Sequence, residues 1–72
     1  MSAEYVVYFQ STHDVIKAKK ELQQACIAHE IIPTPKKLSS ECGMSLKVEA
    51  FVLERVHEIL CLKGVRFKSD LL

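Results

Sequence analysis

From the amino end, short runs of β-branched and aromatic residues alternate with longer stretches in which apolar positions recur every three or four. Tyr5-Val6-Val7-Tyr8-Phe9 is apolar throughout and rich in strand formers, the composition of a covered central strand. Ser11-Thr12-His13-Asp14 then offers a helix start. Either hydroxyl can serve as the cap, and Asp14 puts a carboxylate in the first turn, where the helix dipole favours it. Val15, Ala18, Leu22, Ala25 and Cys26 follow on one helical face, with Lys17, Lys19, Lys20, Glu21, Gln23 and Gln24 mostly opposite. The spacing predicts that Cys26 faces the core, where a thiol behaves as a small hydrophobe.

Ile27 to Ile32 is apolar apart from its centre and stops at Pro33, which has no N–H for a ladder, so a second strand is expected at a sheet edge. Pro33 and Pro35 stiffen the exit, and Lys36 to Cys42 is polar enough for a loop or a short turn, closed by Gly43. Met44, Leu46 and Val48 alternate with Ser45, Lys47 and Glu49, the pattern of a half-buried third strand. From Ala50, the positions Val52, Val56, Ile59, Leu60 and Lys63 trace one helical face, and Gly64 stands where a left-handed cap is wanted. Val65-Arg66-Phe67 can add a short last strand.

Strand, helix, strand, strand, helix and a short strand is the order of an α+β, ferredoxin-like split βαββα(β) fold. A parallel pair needs a crossover, so the first and second strands should be parallel with the third antiparallel between them. Both helices should cover one face of this antiparallel or mixed sheet. With 72 residues there is room for a single domain, spanning 1–72, with a modest core.

Composition narrows the function classes. A formal net charge of +1 with lysines spread along the chain gives no field for nucleic acid. No apolar stretch is long enough to span a membrane and no basic leader opens the chain, so a cytoplasmic protein is expected. Three cysteines without C-x-x-C spacing read as reduced thiols rather than a disulfide framework. His13, His29 and His57 are scattered without paired ligand spacing, so neither a metal site nor a cofactor is expected.

One cysteine stands apart from the apolar patterns: Cys42, in Pro33-Thr34-Pro35-Lys36-Lys37-Leu38-Ser39-Ser40-Glu41-Cys42-Gly43. In the expected topology the ends of the first and second strands meet the start of the third at one sheet edge. Ser11, Thr12 and His13, the Pro33–Cys42 loop and the amides opening the first helix would then converge. A helix N-terminus carries roughly half a positive charge, which stabilises a thiolate, as would protonated His13 or an inward Lys36 or Lys37. Ser39 and Ser40, with Gly43, could form an anion-binding nest. Cys61, on the helix that runs back to this edge, is a candidate resolving thiol; packing between Leu60 and Leu62 is its plainer role.

Phe9-Gln10-Ser11-Thr12-His13, Ile32-Pro33-Thr34-Pro35-Lys36 and Leu38-Ser39-Ser40-Glu41-Cys42-Gly43 together resemble a family of small bacterial selenium/sulfur carrier-like proteins, over most of the chain. The resemblance implies that Cys42 carries sulfur or selenium as a persulfide or its selenium analogue, exchanged with donor and acceptor proteins. Lys36 stands where the family commonly has arginine, so an anion contact there would be a point charge rather than a bidentate fork. Neither Cys26 nor Cys61 belongs to the pattern.

The leading expectation is therefore a carrier in which Cys42 accepts the chalcogen and Ser11, Thr12, His13, Pro33, Pro35, Lys36, Ser39, Ser40 and Gly43 shape its surroundings. Two alternatives remain: a small anion- or ligand-binding regulatory module using the same loop, and a protein-interaction domain or homo-oligomer formed through exposed sheet edges. A hydrolytic enzyme is disfavoured, because the Cys–His pairing lacks an orienting third group.

Overall fold

A computed structural model describes residues 3–38 and 43–72. Its elements are β1 (Glu4–Tyr8), α1 (Thr12–Gln24), β2 (Glu30–Pro33), β3 (Met44–Glu49), α2 (Ala50–Leu62) and β4 (Lys68–Leu71). They form a four-stranded sheet in the order β2-β3-β1-β4, and every ladder is antiparallel. Because β3 pairs antiparallel with both β1 and β2, those two strands run parallel on either side of it. This is the expected ferredoxin-like arrangement, with β2 at an edge.

Strand alternation divides the sheet into two faces. Val7, Leu46 and Val48 join Phe9, Val15, Ala18, Leu22, Val56 and Leu60 in one buried cluster. Both helices touch each other and β3, so they lie together on the face that these strand residues present. On the other face Lys47 pairs with Glu30 at 3.1 Å and with Glu4 at 3.5 Å. The hydrogen bond and charge of Glu30, then the charge of Glu4, hold the Lys47 ammonium above its ordinary pKa. Val6 is fully buried on this second face, between Lys47 and Asp70 across the neighbouring strands.

The two helices end in the same way. In α2 the C-cap is Lys63, Gly64 takes φ +70°, its N–H bonds Cys61 O, and Val65 N–H reaches back to Leu60 O. In α1 the C-cap is Ala25, Cys26 takes φ +57°, its N–H bonds Gln23 O, and Ile27 N–H reaches back to Leu22 O. Both are Schellman motifs, each followed by a buried apolar residue, Val65 or Ile27. Helical spacing therefore misplaces Cys26. The helix has ended by that residue, the chain has turned left-handed, and the thiol is exposed.

Three further expectations change. Ile27 to His29 is not strand; Ile27 plugs the end of α1, and β2 begins at Glu30. The last strand is Lys68–Leu71 rather than Val65–Phe67, because Val65 is drawn into the core by the α2 cap and the chain rejoins the sheet only at Lys68. Lys63 is not on the covered face of α2 but exposed, 3.8 Å from Glu21 of α1.

Candidate functional site

Three segments meet at the sheet end where β1 and β2 finish and β3 begins, since Tyr8 stands opposite Ser45 and Pro33 opposite Met44. From β1 the chain passes through buried Phe9 and exposed Gln10 to Ser11. Ser11 is the N-cap of α1: its backbone is extended, and its Oγ accepts from the Asp14 N–H at 3.2 Å. Ser11, Thr12 and His13 are all exposed, so the first helical turn opens to solvent beside this sheet end.

The second segment leaves β2 at Pro33. Thr34 N–H donates to Gly43 O at 3.0 Å, which continues the pairing one step past the ladder and ties the two ends of the intervening loop together. Leu38 N–H donates to Pro35 O at 3.0 Å, closing a turn whose two central residues, Lys36 and Lys37, are exposed. Pro33 is exposed and Pro35 half-buried. Gly43 is exposed, and a Cβ there would meet no atom within 4 Å.

The third segment opens β3, and here the structure adds a feature that alternation hides. Ser45 falls on the polar phase of the strand yet is fully buried, whereas Met44, on the apolar phase, is 38% exposed. Met44 is the first residue of β3 and sits at the rim. Ser45 is flanked by Tyr8 on one side and Ile32 on the other, and its Oγ lies 2.6 Å from Thr34 Oγ1. A buried hydroxyl needs a partner, and Thr34 supplies it. Thr34 thus holds β3 twice, through its backbone at Gly43 and through its side chain at Ser45.

Ser39, Ser40 and Cys42 lie outside the described residues. What the structure defines is the frame from which that segment departs, at Leu38, and to which it returns, at Gly43, the residue bonded to Cys42. Of the expected binding residues, Pro33 and Gly43 are brought together through the Thr34 tie, and Ser11, Thr12 and His13 sit at the same sheet end. Thr34 and Ser45 were not among the expected site residues. The one signal for them was that a threonine between two prolines and the second residue of a strand both carry hydroxyls.

Cys61 is exposed on the last turn of α2 rather than packed between Leu60 and Leu62. The ion pair of nearby Lys63 with Glu21 draws that helix end against the later half of α1. Among the described residues, no three histidine, cysteine or carboxylate side chains gather closely enough to hold a metal ion. No helix of the described chain is long and apolar enough to cross a membrane.

Residues 4–69 match the family model described as "Putative Se/S carrier protein-like". The chain belongs to that family. The match runs from β1 into β4 and so takes in the whole frame around the Pro33–Gly43 segment. Comparison with curated proteins and with solved structures gave no match.

Proposed function

We propose that this member of the Se/S carrier-like family is a sulfur or selenium carrier whose working atom is Cys42 Sγ. Membership of the family over residues 4–69 is the observation that carries the reading. The frame around the loop supports it: Thr34 clamps the Gly43 end, and the open first turn of α1 lies at the same sheet end. In the forward step the Cys42 thiolate attacks the outer sulfur of a donor persulfide. A new S–S bond forms at Cys42, the donor S–S bond breaks, and the donor leaves as its thiolate with the electron pair. Attack by an acceptor thiolate on the outer sulfur then returns Cys42 to the thiolate.

A selenium atom would move by the same exchange. The helix dipole at Thr12 and His13 favours an anionic sulfur, and the exposed hydroxyls of Ser11 and Thr12 supply donors for it. The partners are therefore a desulfurase-type donor and a thiol acceptor protein, in a reducing compartment such as the cytoplasm.

The test is intact-mass measurement of the full chain carrying Cys26→Ser and Cys61→Ser after incubation with a low-molecular-weight persulfide. The expected result is a gain of one sulfur atom that dithiothreitol reverses and that Cys42→Ser abolishes. Absence of the adduct, or retention of it in the Cys42→Ser protein, overturns the proposal.

A further inference from the structure

The ladder between β1 and β4 stops at Tyr8 and Lys68. Beyond that pair the strands diverge, because Val65 is anchored in the core by the cap of α2 while Phe9 and Gln10 lead toward α1. The gap is a cleft of about 270 Å³ lined by Tyr8, Phe9, Gln10, Arg66, Phe67 and Lys68. Its size falls just under the range of about 300–1,000 Å³ typical of ligand pockets, which suits a small molecule.

The lining is chemically uneven. Phe9 is buried in the core behind the cleft, and half-buried Phe67, its ring 5.0 Å from that of His57 between centroids, supplies the accessible aromatic surface. Arg66 and Lys68 are exposed, two residues apart, and among the described residues neither has a carboxylate within ion-pair distance. Two cations brought together without an acid between them repel, and an anion relieves that repulsion. The Arg66 fork matches a carboxylate or phosphate, Lys68 adds a second charge, and the Tyr8 hydroxyl and Gln10 amide add hydrogen-bond capacity.

We infer that the cleft between the end of β1 and the Arg66–Lys68 segment binds a small aromatic anion, a carboxylate or phosphate on a planar ring. The anionic group lies between Arg66 and Lys68 and the ring rests on half-buried Phe67. Lys68, on the far side of the cleft, lies two strand spacings, about 10 Å, from Ser45, with Tyr8 between them. The site shares the Tyr8–Gln10 segment with the loop frame, and its two cations lie on the side away from Ser45.

The experiment is a titration of the full-length, isotope-labelled chain followed by amide NMR, with phenyl phosphate and benzoate as probes. Benzyl alcohol supplies the ring without charge and inorganic phosphate the charge without ring. The inference expects saturable shifts of the Gln10, Phe67 and Lys68 amides with at least one aromatic anion, and roughly tenfold weaker binding of either control. Arg66→Gln and Lys68→Gln, both at exposed positions, should each weaken the aromatic anion by about tenfold while leaving the core amides in place. Failure of both aromatic anions to shift these amides overturns it, as does equal binding of inorganic phosphate or indifference to both substitutions. No sulfur transfer enters the readout, so this result and that of the persulfide test are independent.

Discussion

Thr34→Val removes one hydroxyl from the base of the Cys42 loop; valine keeps the shape of threonine, and the Thr34 N–H bond to Gly43 remains. Its partner, Ser45, is fully buried and would lose its 2.6 Å bond. A buried hydroxyl left without a partner costs about 1–3 kcal/mol. A domain of this size has only about 3–5 kcal/mol of stability to lose, and each kcal/mol moves its Tm by about 4–8 °C. Ser45→Ala should cost less, about 0.5–1.5 kcal/mol, because Thr34 is only half-buried. In the double variant valine faces alanine and neither end of the Thr34–Ser45 bond is stranded, so the combined loss should fall short of the sum by about 1 kcal/mol. Urea unfolding of all four proteins, followed by circular dichroism, gives that coupling and separates it from any other contact of Thr34. Additivity to within about 0.3–0.5 kcal/mol would refute the clamp. Measured alongside in the Cys26→Ser, Cys61→Ser background, the alkylation rate of Cys42 should change in Thr34→Val if the clamp sets the loop's geometry.

The remaining predictions concern the caps, the core and the open face. Cys26→Gly should raise stability by about 0.5–1 kcal/mol, because glycine accepts the left-handed φ that cysteine holds under strain. Gly64→Ala should lower it by about 1 kcal/mol for the same reason; its Cβ would meet no atom within 4 Å, so the cost is conformational. Thermal melts of both variants check the pair. Leu60→Ala empties a fully buried position and should cost about 2–5 kcal/mol, enough to leave much of the chain unfolded at 37 °C by circular dichroism. Lys47 has its pKa raised above 10.5 by Glu30 and Glu4, so its contribution is complete below that pH and fades as pH climbs through the folded value. Lys47→Met should therefore flatten the alkaline limb of the stability–pH curve and leave its slope between about pH 6 and 9 unchanged, where neither the ammonium nor the carboxylates titrate.

Local pattern made much of this protein readable in one dimension. A hydroxyl cap at Ser11 or Thr12 opening α1, the covered stripe Val15, Ala18, Leu22, the left-handed Gly64 and the order of strands and helices all rest on interactions within a few residues of chain. The strand order follows almost as directly, since a short helical crossover leaves few ways to arrange four strands. The resemblance carried by the Ser-Thr-His, Pro-Thr-Pro and Ser-Ser-x-Cys-Gly segments was likewise a property of sequence, and the family match over residues 4–69 agrees with it.

Tertiary structure decided the rest, wherever a residue's surroundings come from distant chain. Ser45 reads as a solvent-facing serine until the register sets Tyr8 and Ile32 on either side and Thr34 over it. Cys26 continues an apolar stripe on paper, but the cap closed by buried Ile27 ends the helix at Gln24, two residues sooner, and turns the thiol outward. Arg66 and Lys68 look like charges flanking a strand residue; docking of Val65 under α2 delays β4 and opens the cleft that brings both cations to Phe9 and Gln10. Periodicity reports which side of its own element a residue occupies, and the partner it meets there depends on contacts between elements far apart in sequence.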